Sequence, residues 1–136
     1  MGYAQGWGNS TLPARIQNGQ FICDGYTELQ DPQVSCGVIK AYIVKNGLKD
    51  SVTMLPFMSP ENVRKYMDNA DVFVFGSNFY EGWGAVVNEA MNSACAVVTS
   101  HAIGATPFLV QNGQNGLVYE SENVNDLYHK VRSLLD

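Results

Sequence analysis

Charge is scarce in this chain, and what there is leans acidic. Charged residues make up 15% of the 136 positions and sum to −5 at neutral pH. A nucleic acid partner, which needs a basic stripe to meet its phosphates, is therefore disfavoured. Long hydrophobic runs are lacking too, with nothing near the roughly 20 apolar residues of a membrane span. Met1-Gly2-Tyr3 opens no basic stretch leading into an apolar segment, so no secretory leader is expected and the expected location is cytoplasmic. Cysteine is limited to Cys23, Cys36 and Cys95, an odd count without C-x-x-C spacing. Reduced, buried thiols follow from that, rather than disulfides or a metal site.

What is present is 46% apolar sequence, enough for one core. Residues 1–19 hold four glycines and a proline without a sustained period, and are expected to be irregular. From 20 to 136, short β-like runs alternate with helical ones, which predicts an α/β domain: a Rossmann-like parallel sheet with flanking helices. Strands are expected at 20–23, 52–55, 72–75, 96–99 and 117–119. One helix falls within 28–46, its start delayed by Pro32 and its end marked by Asn46-Gly47. Another begins at Pro60 behind Ser59 as N-cap, burying Val63, Tyr66 and Met67. A last helix opens at Asn123, with Asp126 three residues on in the manner of a capping box.

The most informative stretch is Ala70 to Glu89, ADVFVFGSNFYEGWGAVVNE. Val72-Phe73-Val74-Phe75 does not alternate with polar residues, which predicts a strand covered on both faces. Gly82-Trp83-Gly84 then turns into a helical segment with Val86, Val87, Ala90 and Met91 as its packing side. Such a strand, glycine turn and helix start leave backbone N–H groups and a helix dipole able to hold an anion. The dinucleotide fingerprint fails here, because Val87 stands where a third glycine belongs. The ribose-binding acid about 20 residues on is missing as well: no acid occurs between Glu89 and Glu120.

Two carboxylates remain, Glu81 before the turn and Glu89 within the helix. The helix rises roughly 7 Å from Gly84 to Glu89, so the two acids are not expected to face one another. That spacing does not suit a retaining glycosidase pair, whose carboxyls stand about 5 Å apart. It suits two acceptors gripping different hydroxyls of one extended ligand. On spacing alone, an ordinary solvated loop residue and an ordinary helix-surface charge are the favoured reading.

The ordered run ADVFVFGSNFYEGWGAVVNEAMNSACAVVTS resembles the donor-binding core of retaining glycosyltransferases with the GT-B fold, the "group 1" type. Ser77, Glu81-Gly82-Trp83-Gly84, Glu89-Ala90-Met91 and Val97-Val98-Thr99-Ser100 fall in that family's order, and the Asn112–Tyr119 ending is similar too. The resemblance implies transfer of a sugar from a UDP-, GDP- or ADP-linked donor, with retention, in polysaccharide or glycolipid synthesis. It implies that Glu89 holds the ribose and that Glu81, the catalytic candidate, holds the donor sugar. Backbone at Gly82, Trp83, Gly84, Ala85 and Val86 would face the sugar and diphosphate. Trp83 would line the site or pack beneath the helix start. His101, just past a strand end, would contact a phosphate or hydroxyl, or serve as a surface histidine. No cofactor or metal is implied. Neither a DxD cluster nor the family's G-R-x-x-x-x-K-G stretch is found, and Ala105 and Phe108 replace a glycine and an acid of its G-G-x-P-E motif. The match covers only the later part of a donor domain, so an acceptor domain or partner chain is expected to complete the enzyme, with peripheral membrane association of the whole. A non-catalytic binding module and a GT-B-fold epimerase stand as alternatives.

Overall fold

The computed structural model describes residues 14–17, 20–26, 36–56 and 58–136. In chain order the elements are β1 (Ala14–Gln17), β2 (Gln20–Tyr26), α1 (Cys36–Lys45), β3 (Val52–Pro56), α2 (Pro60–Asp68) and β4 (Val72–Phe75). They are followed by α3 (Ala85–Asn92), β5 (Ala96–Ser100), α4 (Thr106–Leu109), β6 (Leu117–Tyr119) and α5 (Val124–Leu135). The strands form one sheet in the order β3-β2-β1-β4-β5-β6. Neighbours run parallel in β2–β3, β4–β5 and β5–β6, while β1 runs antiparallel to both β2 and β4.

The expected α/β sheet with flanking helices is thus present, with two amendments. Part of the segment expected to be irregular, Ala14–Gln17, is a strand at the centre of the sheet. Gln17 pairs with Gln20 in a hairpin whose two intervening residues read Asn-Gly. That dipeptide is a strong two-residue hairpin signal. The rest of 1–19, including the Gly6-Trp7-Gly8 echo of the later turn, lies outside the described residues, as do 27–35. The second amendment follows 100: a one-turn helix, α4, interrupts the expected loop, with Pro107 in its first turn.

Local signals account for most of the helices. Ser59 caps α2 through its hydroxyl, which accepts from the Asn62 N–H, and Pro60 begins the helix, where no N–H is needed. Met67 is its buried anchor, while Val63 and Tyr66 are half-buried. α1 ends as its sequence suggests, with the Leu48 N–H bonded back to the Ile43 carbonyl past Gly47. At α5 the capping box is only half made. Asn123 accepts from the Asp126 N–H, but the Asp126 carboxylate takes the Glu120 N–H instead of that of Asn123.

β4 is buried at all four positions, as its unbroken apolar run implies. Phe73 and Phe75 face a core with Val86, Val87 and Ala90 of α3, Met67 of α2, and Val97 and Ile103. Val72 and Val74 face the other side with Val98 and Tyr119, covered by Leu127 and Val131 of α5. Cys95 is a buried free thiol bonded to the Met67 carbonyl; the side chains of Cys23 and Cys36 are outside the described set. Because β4, β5 and β6 are parallel, the loops after Phe75, Ser100 and Tyr119 leave the same edge of the sheet. Open α/β sheets place ligands at that edge.

Candidate functional site

Two loops build the site at this edge, residues 76–84 after β4 and 101–105 after β5. They are bonded to one another through the backbone. The Gly104 N–H donates to the Gly82 carbonyl at 3.0 Å, and the Ala105 N–H donates to the Trp83 carbonyl at 2.8 Å. Gly104 has to be glycine for this approach, since a Cβ there would lie 2.5 Å from the Gly82 oxygen. The second loop is itself anchored. The buried Thr106 hydroxyl donates to the Ser100 carbonyl, lies 3.3 Å from the Thr99 hydroxyl, and sits beside a Ser100 hydroxyl that accepts the Ala102 N–H.

Gly84 is the N-cap of α3 and lies in the left-handed region, φ 74° and ψ 54°. It is buried against Ile103 and Phe75, and a Cβ would come within 2.5 Å of an Ile103 methyl. Having no side chain, it cannot cap the helix. The N–H groups of Ala85 and Val86 therefore have no partner inside α3, while the Val87 N–H returns to the Gly84 carbonyl. Those two donors and the positive end of the helix dipole lie beside a turn whose other glycine, Gly82, has nothing within 4 Å on its Cβ side.

Glu81 is half-buried beside this helix start. Burial pushes its carboxyl above the ordinary range, and the Gly84 N–H bonded to it opposes that only in part. Glu89 is half-buried one turn along, on the side of α3 that meets α2, where the Arg64 guanidinium feels its charge. Arg64 itself is paired with Asp68, whose carboxylate also accepts the Ser93 hydroxyl and is thereby held below its usual range.

The structure brings Glu81, Gly82, Trp83, Gly84, Ala85 and Val86 together at the helix start. The Val86 side chain is buried in the core, so only its N–H is available to a ligand. Trp83 does not pack beneath the helix start. It is half-exposed, with its ring 5.7 Å from that of Phe108. His101 is exposed at the far side of the mouth, edge-on to Phe79 at 5.5 Å. Its Nδ1 accepts the Ser121 N–H at 2.9 Å, so the neutral ring carries its hydrogen on Nε2. A groove of about 570 Å³ opens beside it, lined also by Thr106, Asn112, Tyr119 and Glu120. Of the residues expected from sequence to bind donor, only His101 borders that groove. Phe108 was noted in the sequence as a substitution for the family's acid, but not as a neighbour of Trp83. Among the described residues no cluster of His, Cys, Asp or Glu suits a metal ion, and no helix is long and apolar enough to cross a membrane.

A mostly parallel sheet with flanking helices and a glycine-led start of α3 that no side chain caps defines the class: a Rossmann-like α/β domain. The family model described as glycosyl transferases group 1 matches residues 37–136, and the chain belongs to that family. Spore coat protein SA of Bacillus subtilis is 31% identical over 88 residues, covering 64% of this chain and 23% of that protein. The N-acetylgalactosamine-N,N'-diacetylbacillosaminyl-diphospho-undecaprenol 4-alpha-N-acetylgalactosaminyltransferase of Campylobacter jejuni is 34% identical over 105 residues, 74% of this chain and 28% of its own. Among solved structures, Anabaena HepE in complex with UDP superposes with TM-score 0.67 at 26% identity, over 76% of this chain and 28% of that one. Sucrose-phosphate synthase from Thermosynechococcus elongatus gives 0.64 at 27% identity, over 84% and 28%. These neighbours are GT-B enzymes. The chain spans about a quarter of the length of each of these relatives.

Proposed function

We propose that this chain is the nucleotide-sugar-binding part of a retaining glycosyltransferase. The observation that carries the reading is the start of α3, with two N–H donors unpartnered within the helix and the half-buried Glu81 carboxylate beside it. A nucleoside diphosphate fits that arrangement, its phosphates against the Ala85 and Val86 amides and its ribose hydroxyls at Glu89. Glu81 then accepts hydroxyls of the sugar being transferred. As the glycosidic bond breaks, charge builds on the departing diphosphate, where the same amides and the helix dipole stabilise it. The amides take the role that a metal ion plays in other transferases, so binding is expected to be unchanged by a chelator. Glu81 and Glu89 stand at different parts of the ligand, which supports attack on the face the diphosphate leaves and gives neither the part of a nucleophile. The HepE structure with UDP supports the choice of a uridine nucleotide, and the Campylobacter relative supports a saccharide acceptor in polysaccharide or glycolipid synthesis. The acceptor side belongs to a further domain or partner chain, which favours binding without turnover when this chain acts alone.

Titration of the chain with UDP, GDP and ADP and their sugar conjugates, followed by protein NMR, tests this. One nucleotide is expected to bind saturably and to be weakened by Glu89→Ala. A folded chain that binds none of them overturns the reading.

A further inference from the structure

The loops around the site carry a set of exposed rings that nucleotide binding does not use. Phe79, Tyr80, Trp83 and Phe108 are 73%, 84%, 50% and 77% exposed. They are all the large exposed hydrophobic residues of the two loops and α4, and every one is aromatic. Among the described residues, the large exposed hydrophobics elsewhere, on α1 and α5, are Tyr42, Val44, Val124, Tyr128, Leu134 and Leu135, a mixture dominated by aliphatics. Flat exposed rings beside polar groups suit a ligand with flat faces and many hydroxyls.

We propose that Trp83 and Phe108 form a stacking platform for a pyranose ring of the acceptor saccharide, an inference that rests on the nucleotide-sugar reading above. The two rings lie 5.7 Å apart and inclined by 36°, a tilted pair in which each ring is at least half exposed. Their backbones are locked together by the Ala105 N–H to Trp83 carbonyl bond, and the Phe108 N–H returns to the Ala105 carbonyl, so the shelf exists before any ligand arrives. The C–H bonds on one face of a pyranose present slightly positive hydrogens, which the negative face of an aromatic ring attracts. Burial is graded across the site: Gly84 is buried, Glu81 half-buried, and Trp83 and Phe108 stand at the rim. The donor sugar belongs at the inner position against Glu81. The rim lies next to it, where the attacking hydroxyl has to be delivered. Phe108 holds the shelf in place of the acid that the family motif carries there.

Saturation-transfer NMR on the full chain tests the platform, using methyl α-D-glucopyranoside, methyl α-D-galactopyranoside and methyl N-acetyl-α-D-glucosaminide, each with and without UDP. Ring C–H protons of at least one glycoside are expected to be saturated, with affinity falling about 2- to 10-fold in Phe108→Leu and kept in Phe108→Tyr. Leucine preserves apolar bulk but has no π face, so docking that needs only hydrophobic area survives it and stacking does not. Phe108 is exposed, and thermal melts of both variants should match the parent. Absence of saturation, or saturation unaffected by Phe108→Leu and Trp83→Leu alike, overturns the proposal. So does a parent chain that self-associates and becomes monomeric on Phe108→Leu, because the rim is then an interface between copies. UDP binding without glycoside contact overturns the platform and leaves the nucleotide reading standing. Glycoside contact that is lost in Phe108→Leu, without UDP binding, overturns the nucleotide reading and with it the assignment of the stacked saccharide as an acceptor.

Discussion

Replacing each glycine of the Gly82-Trp83-Gly84 turn by alanine separates what the fold requires from what a ligand requires. At Gly84 an alanine meets two obstacles. Its φ of 74° is left-handed, a conformation that costs an L-residue about 1–2 kcal/mol. Its Cβ would also stand 2.5 Å from Ile103 Cγ2 and 3.3 Å from Phe75 Cε1. Both neighbours are buried in the core and cannot simply rotate away. Overpacking of that kind adds about 1–3 kcal/mol, for a total loss of roughly 2–5 kcal/mol in Gly84→Ala. Gly82 has nothing within 4 Å of a Cβ and no positive φ. Gly82→Ala should therefore stay within about 0.5 kcal/mol of the parent, while its methyl, projecting into the open side of the turn, weakens binding of a nucleotide sugar. Urea denaturation followed by circular dichroism measures the first quantity, and NMR titration the second. Equal losses of stability in the two variants, or a Gly84→Ala loss under about 1 kcal/mol, would refute the reasoning.

Gly104→Ala drives a Cβ into the Gly82 carbonyl and parts the two loops, so the Gly104 and Ala105 N–H bonds to them are lost; at about 1 kcal/mol each, a loss of roughly 2–4 kcal/mol with the added strain is expected by urea denaturation. Tyr119 is buried beside Ser100, and its hydroxyl is pushed up to about 12. Because the folded value is the higher one, its contribution to stability is whole below pH about 10 and is lost as pH rises through about 12, on the order of 2–3 kcal/mol. Tyr119→Phe should blunt the alkaline part of the stability curve, and an unchanged curve would count against a buried hydroxyl. The Glu81 carboxyl is likewise raised by burial, so it favours the fold when protonated and disfavours it as pH climbs through its folded value. Glu81→Gln should then melt higher than the parent at neutral pH, converge with it below pH about 4, and bind donor sugar more weakly; a lower neutral melting temperature would contradict the burial argument.

Much of this protein was legible from local pattern. An unbroken apolar run made β4 a doubly covered strand. Ser59-Pro60 and Asn123 marked the starts of α2 and α5, Asn46-Gly47 the end of α1, and the glycines before Ala85 an open helix start. These signals act between residues a few positions apart, so the chain states them directly. Family membership was legible for the same reason, as a row of short motifs in a fixed order. The antiparallel course of β1 was not read, although Asn18-Gly19 offered a hairpin signal, because the place of a strand in a sheet is settled by pairing with partners as distant as β4. Only the folded sheet brings Gly82 and Trp83 to Gly104 and Ala105, Ile103 against Gly84, Phe108 against Trp83, and Ser121 to His101. Each of these contacts bridges loops that meet because parallel strands end at one edge. A linear sequence names the residues of such loops, but their distances and burial exist only once the sheet has set the strand ends side by side.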